Sequence, residues 1–222
     1  GDTIHGRQFL DPGRRVEPLT YFHPTGPAGD VFAVSSRGRR IAVVGLGAGT
    51  LAAYAGRGDE LDFFELDPDV ERMARKHFTY LADAEARGAR VRVIPGDARL
   101  SLTTAGTYDL LVIDAFSSDS IPVHLVTREA VQLYRTRLAE GALMAFHVTN
   151  RHLRLARAFA RLAAEEGLLA ARRKDNDSSA EGKNTSEWVV LAPSPAALKT
   201  LAETGRWQGI TPLPGDPLWT DD

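Results

Sequence analysis

The chain contains no cysteine, so disulfides, thiolate metal sites and cysteine nucleophiles are excluded. It has no excess of either charge: 27 Lys and Arg against 29 Asp and Glu leave a formal net charge of −2 at pH 7. No global positive field exists to hold nucleic acid or anionic lipid, so nucleic acid is not an expected partner. No stretch approaches the roughly 20 consecutive apolar residues that cross a bilayer, and Gly1-Asp2-Thr3-Ile4-His5 lacks the basic and apolar regions of a signal peptide. The six histidines show neither HxxxH nor HExxH spacing, and no metal site is expected. No Walker-type phosphate loop and no G-x-S-x-G nucleophile elbow occurs. What remains is an ordinary globular composition: 222 residues, 43% hydrophobic and 25% charged, enough for one large domain with a sizeable core.

The chain changes texture near residue 36. Residues 1–36 carry small apolar runs separated by Asp11-Pro12-Gly13 and Pro24-Thr25-Gly26-Pro27, a pattern that predicts a small N-terminal region of β-strands. Residues 37–222 read as the main domain. There, short, mainly apolar runs (41–44, 61–64, 91–94, 110–113 and 142–148) alternate with segments of helical period. Such runs suit central strands of a parallel sheet covered by helices on both faces. Helices are predicted over 68–80, where Asp67 is the N-cap and Pro68 the first helical residue, over 128–139 after Thr127, and over 153–166. The runs 168–172 and 187–191 flank a polar loop and predict an antiparallel pair. The fold class is therefore α/β: a doubly wound, Rossmann-like sheet with an antiparallel C-terminal edge, plus the small N-terminal β-region.

Two features point to a nucleoside. Ile41-Ala42-Val43-Val44-Gly45-Leu46-Gly47-Ala48-Gly49-Thr50 is a strand running into a glycine turn that opens a helix, where Gly45, Gly47 and Gly49 let a ligand approach the backbone. Glu65 follows Gly45 by twenty residues, at the end of the next apolar run, where a carboxylate can take both ribose hydroxyls. Thr50 stands where a pyrophosphate-binding turn needs its third glycine. This favours a nucleoside without phosphates, such as S-adenosylmethionine or a relative. At the end of the third strand, Asp97 is a candidate acceptor for the adenine amino group and Ala98 a candidate wall. Asp114 directly follows the fourth apolar run, at the crevice where the sheet order reverses, and a carboxylate there calls for a cationic partner. Asp119 offers a second carboxylate from the loop that follows.

With these residues, and with His5-Gly6-Arg7-Gln8, Tyr21-Phe22-His23-Pro24, Glu65-Leu66-Asp67-Pro68, Gly96-Asp97-Ala98-Arg99 and Leu218-Trp219-Thr220-Asp221-Asp222, nearly the whole chain resembles the spermidine synthase family. These are the polyamine aminopropyltransferases, and the likeness is strongest to the branch often fused to membrane-spanning segments. The resemblance implies a class I methyltransferase type of sheet binding decarboxylated S-adenosylmethionine, or S-adenosylmethionine itself, as co-substrate with no metal. It implies that Gln8 and the glycine turn contact the methionine-derived part, Glu65 the ribose, and Asp97 with Ala98 the adenine. Asp114 falls on the aspartate that deprotonates the attacking amine, Tyr21 lies near it, and Asp119 joins Tyr21 in orienting the amine. A small-molecule amine as acceptor, a homodimer, a cytoplasmic setting and a parent protein tethered to the membrane are further implications, with this chain a fragment of that parent. The sequence departs from the pattern at Ala48, which replaces the aspartate of the GGGDGG turn, at the lengthened Asp114–Pro122 segment in place of D-x-x-D-P, and at Tyr21-Phe22-His23 in place of Tyr-His-Glu. These changes remove or move carboxylates that hold a diamine.

The activity implied is aminopropyl transfer to an amine with release of methylthioadenosine. Two alternatives share the fold and the glycine turn: methyl transfer from S-adenosylmethionine, and a nucleoside-binding domain without turnover. For His5, His23 and His147 a structural role is expected even near the crevice. Arg151, Arg154, Arg157 and Arg161 read as one solvated basic stripe on a helix.

Overall fold

The computed structural model describes residues 6–34, 38–115, 121–149 and 155–222. Its strands are β1 (Arg40–Val44), β2 (Glu60–Glu65), β3 (Arg90–Pro95), β4 (Tyr108–Ile113), β5 (Leu138–His147), β6 (Leu169–Asp175), β7 (Ser186–Ala192) and β8 (Gln208–Ile210). Its helices are α1 (Pro27–Ala33), α2 (Pro68–His77), α3 (Tyr80–Ala86), α4 (Ala98–Leu102), α5 (Arg128–Thr136), α6 (Leu155–Glu165) and α7 (Pro195–Glu203). The strands form one sheet in the order β3-β2-β1-β4-β5-β7-β6-β8. β1 to β5 are parallel, and β7 runs antiparallel to both β5 and β6. β8 closes the far edge, antiparallel to β6.

The central strands are mainly apolar because both of their faces are covered, and the buried Asp62 of β2 is paired with Arg92 and the Tyr108 hydroxyl. Ile41, Val43, Leu61, Phe63, Leu110 and Val112 pack toward one layer, with α3, α7 and Phe22, Val31 and Phe32 of the N-terminal segment. Ala42, Val44, Phe64, Leu111, Ile113 and Phe146 pack toward the other, with α4, α5 and α6. Period-two alternation then sends their apolar side chains alternately into the two layers.

The expected N-terminal β-region is corrected. Among the described residues, 6–34 hold turns and helix α1, and their only β-pairing is an isolated bridge between Thr20 and Lys183. The run Val31-Phe32-Ala33 is helical because Pro27 opens a helix at its first position, and burial of Ala28, Val31 and Phe32 follows helical spacing. The helix expected over 68–80 is two helices. α2 ends where Phe78 turns extended, and Gln8 holds the break: its Oε1 accepts the Thr79 N–H at 3.0 Å and its Nε2 donates to Thr79 Oγ1 at 2.8 Å. After the glycine turn the chain makes only a short 3₁₀ turn (Thr50–Tyr54) before β2. The start of the helix expected over 153–166 lies outside the described residues, and the rest of it is α6.

Candidate active site

Parallel order places the C-terminal ends of β1 to β4 along one edge, and β1, flanked by β2 and β4, marks the reversal. At that edge a cavity of about 710 Å³ opens, within the size range of small-molecule sites. It is lined by Tyr21, Gly45, Gly47, Glu65, Asp97, Ala98 and Asp114, seven of the residues that the sequence singled out. Gln8 and Gly49 do not line it, and Asp119 lies outside the described residues. The Gln8 amide is engaged by Thr79 and by the Arg15 carbonyl at 2.9 Å. Gly49, at φ 76°, lies against α3: a Cβ there would meet Leu81 at 2.9 Å.

The glycine turn brings the ends of two strands together. Gly45 has φ 94°, and a Cβ on it would stand 2.5 Å from the Asp114 carbonyl oxygen, so only glycine lets the chain pass there. Across the crevice, Glu65 accepts the Leu46 N–H at 2.9 Å through Oε2 and the Asp67 N–H at 3.0 Å through Oε1. Each oxygen keeps a lone pair for a ligand hydroxyl. Asp97 serves two ends: Oδ1 caps α4 by accepting the Leu100 N–H at 3.0 Å, and the residue lines the cavity 3.8 Å from His124 Nε2. That wall is fixed from behind. Asp221 holds Arg99 through two hydrogen bonds of 2.8 and 2.7 Å, and Arg99 Nη1 donates to the His124 carbonyl at 2.9 Å. Hydrogen bonds from Arg99 and Thr127 hold the Asp221 carboxyl down at about 2.

Asp114 stands at the end of β4, its carboxylate Oδ1 2.7 Å from His147 Nδ1 at the end of β5. His147 Nε2 lies 2.7 Å from Thr149 Oγ1, which accepts the Glu187 N–H at 2.9 Å. The imidazole lies between Tyr21, 4.5 Å away, and Trp188, stacked at 5.2 Å with 19° between the planes. Burial, and then the Asp114 charge, raise the Tyr21 hydroxyl far above the usual phenol value, so Tyr21 is a neutral hydroxyl at any physiological pH. Its neighbour Thr20 takes φ 61°, a strained setting for a β-branched residue, held by hydrogen bonds to the Gly182 carbonyl and from the Asn184 N–H.

His147, expected to be structural, is thus the direct partner of Asp114. The signal available was register: Ile113 pairs with Phe146, so the residues that follow them lie side by side. Five carboxylates line the cavity (Glu65, Asp67, Asp69, Asp97 and Asp114), and no Lys or Arg does so among the described residues. A cavity of that charge suits a cationic ligand. The described residues contain no group of three or more His, Asp, Glu or Cys suited to a metal ion, and no helix long and apolar enough to cross a membrane. In the basic stripe, Arg157 pairs with Asp216 at 2.6 Å and Arg161 with Glu165, while Arg151 and Arg154 lie outside the described residues.

No family model matches the chain. A polyamine aminopropyltransferase from Vibrio vulnificus (strain CMCP6) is 28% identical over 151 residues, covering 65% of this chain and 48% of that protein. The chain thus spans about half the length of the curated relative it matches. A probable spermidine synthase from Corynebacterium glutamicum ATCC 13032 superposes with a TM-score of 0.58 at 18% identity, over 88% of this chain and 77% of that one. Human methyltransferase-like protein 13, solved with SAH, gives 0.57 at 18% identity, over 80% and 88%. At these identities the solved structures establish the fold, a class I methyltransferase type of sheet. The sequence likeness to a polyamine aminopropyltransferase covers 65% of the chain.

Proposed function

We propose that the chain is an aminopropyltransferase of the spermidine synthase kind, which moves an aminopropyl group from decarboxylated S-adenosylmethionine to an amine and releases methylthioadenosine. The observation that carries the reading is Asp114: a carboxylate at the switch point of the sheet, lining the same cavity as Glu65 and beside the hydroxyl-bearing Tyr21. Glu65 takes the ribose hydroxyls, with Leu46 and Asp67 fixing its oxygens. Asp97 and Ala98 face the adenine. The acidic lining supports the decarboxylated donor, since a ligand carboxylate would enter a cavity that already holds five and would find no lysine or arginine among the described lining residues.

The chemistry follows from the sulfonium. Attack by the amine nitrogen on the methylene beside it forms a C–N bond as the C–S bond breaks, and the thioether leaves neutral, with no acid needed. What the protein supplies is an unprotonated amine and alignment. An alkyl ammonium titrates near 10, so a carboxylate placed to accept its proton contributes about 10²- to 10⁴-fold. Asp114 is that base, with Tyr21 and Asp119 orienting the amine. Holding donor and amine together in one cavity supplies the larger proximity term. Because Ala48 stands where the family pattern has an aspartate, the acceptor need not be putrescine.

The deciding experiment is mass spectrometry of the products formed from decarboxylated and intact S-adenosylmethionine with mixed di- and polyamines. Methylthioadenosine together with an amine heavier by one aminopropyl unit supports the reading and names the acceptor. S-adenosylhomocysteine would transfer the chain to the methyltransferases, and binding without product to the nucleoside-binding domains.

A further inference from the structure

We propose that His147 is a positioning residue for the base: its imidazole donates the Nδ1–H to Asp114 and directs that carboxylate to the cavity, with Thr149 engaging Nε2 from behind. The inference rests on the aminopropyl-transfer reading and goes beyond it, since a carboxylate can act as a base with no imidazole behind it.

The hydrogen-bond chain has one consistent direction. The ionised Asp114 carboxylate can only accept, so it fixes a proton on His147 Nδ1, and the Thr149 hydroxyl, whose oxygen takes the Glu187 N–H at 2.9 Å, is free to donate to His147 Nε2, 2.7 Å away. With Nε2 accepting, the imidazole proton sits on Nδ1 and points at Asp114 Oδ1, also 2.7 Å away. Reversing the chain would set the Nδ1 lone pair against the carboxylate. The ring is held: it is 2% exposed, packs against Tyr21 and Trp188, and among the described residues does not line the cavity, so its reach to the site is through Asp114. Among the described residues, the titratable groups facing it are Asp114 from β4 and Tyr21 from the N-terminal segment. β7 brings Trp188 and the Glu187 backbone.

In the reaction the ammonium N–H bond breaks and its proton passes to the Asp114 carboxylate, which becomes a carboxylic acid. The freed lone pair forms the C–N bond as C–S breaks. The Nδ1–H stays on the imidazole throughout. Because a hydrogen bond to the charged form favours that form, loss of this donor raises the pH at which the base becomes ionised and loosens its aim.

The test compares His147→Leu, which removes the donor, with His147→Asn, whose amide N–H falls near the Nδ1 position without titrating. Methylthioadenosine release from decarboxylated S-adenosylmethionine is followed across pH, and nucleoside affinity is measured by calorimetry. H147L is expected to lose on the order of 10²-fold in kcat with nucleoside affinity kept, and to move the acidic limb of kcat/KM up by about one pH unit. H147N is expected to stay within about tenfold of the parent, with the limb unmoved. An H147L protein with the parent rate and limb overturns the inference, and so does an H147N protein as impaired as H147L with the limb unmoved in both. If H147L does not fold, Thr149→Val takes its place: freeing Nε2 is expected to move the limb the same way by less, and an unmoved limb overturns the inference. A parent protein that releases no methylthioadenosine removes the reading itself, whereas an active parent with indifferent variants removes the inference alone.

Discussion

The Glu65 carboxylate accepts the Leu46 N–H at 2.9 Å, so the acidic residue at the end of β2 and the glycine turn at the end of β1 hold each other in place before any ligand arrives. The second oxygen takes the Asp67 N–H at 3.0 Å. Glu65→Gln would turn an amide N–H toward one of these backbone donors. The expected result is a ten- to hundredfold weaker affinity for methylthioadenosine by calorimetry, which corresponds to roughly 1.5–3 kcal/mol for a hydrogen bond to a charged group. Unchanged affinity would take Glu65 out of the nucleoside site.

Asp114→Asn keeps the shape and can still accept the imidazole N–H through its carbonyl oxygen, but it cannot take a proton. Turnover is expected to fall by about 10²- to 10⁴-fold, with nucleoside affinity within about threefold of the parent. Steady-state kinetics beside calorimetry separates the two. Parallel loss of both, or of neither, would contradict the assignment.

All five tyrosines are raised, chiefly by burial: Tyr80 to about 12, and Tyr21, Tyr54, Tyr108 and Tyr134 further still. A raised phenol favours the folded state fully below the unfolded value near 10, and that contribution is lost as pH rises from there through the folded values. Ultraviolet titration is therefore expected to show no tyrosinate near pH 10 in the folded protein. It should emerge in a single step together with loss of the circular dichroism signal. A separate early step would mean that one of these rings is wet.

Asp30 ties α1 to the far side of the sheet: its carboxylate meets Arg173 and Arg206, each at 2.5 Å, and the Trp207 indole N–H at 2.9 Å. Burial pushes this carboxyl up, but the hydrogen bonds from Arg206 and Trp207 and the Arg173 charge outweigh it, and the net position is below the ordinary value. Asp59 has the same balance against Arg39 and the Arg39 and Gly56 N–H groups. Depressed carboxyls stabilise the fold above the unfolded value near 4, and that stability is lost as pH falls through the folded values. Asp30→Ala leaves Arg173 short of its partner and is expected to cost about 3–5 kcal/mol in urea melts. Asp30→Asn should start less stable at neutral pH and lose less on acidification than the parent.

The sheet is legible in the sequence because its central strands are buried on both faces and so are mainly apolar, with Asp62 of β2, paired to Arg92 of β3, an exception. That pattern gives the 3-2-1-4-5 order and the place of the crevice, and from these follow Glu65, Asp97 and Asp114. Where the reading fails, tertiary context decides. Val31-Phe32-Ala33 is as apolar as a strand, but Pro27 and one-sided burial make it a helix. β8, three residues long, is too short to stand out, whereas α7 follows a Ser194 cap and Pro195 that mark a helix start. Gln8 looks like a ligand contact in the motif, yet its amide matches the backbone break between α2 and α3. His147 has no motif at all. It becomes visible only once β5 is set in register beside β4, since its partner lies on another strand.

The insertion of β7 between β5 and β6 has a consequence for the order of assembly. β5 is bonded to β4 on one side, and its other side stays an open edge until residues 186–192 have been made. A nascent chain that has emerged only as far as β6 therefore exposes the backbone of a strand that the finished molecule buries completely over Ala142–Val148, at the stage when edge-to-edge association with another chain is easiest. The same late strand brings Trp188, so the imidazole beside Asp114 is left open on that face until synthesis has passed the rest of the cavity by.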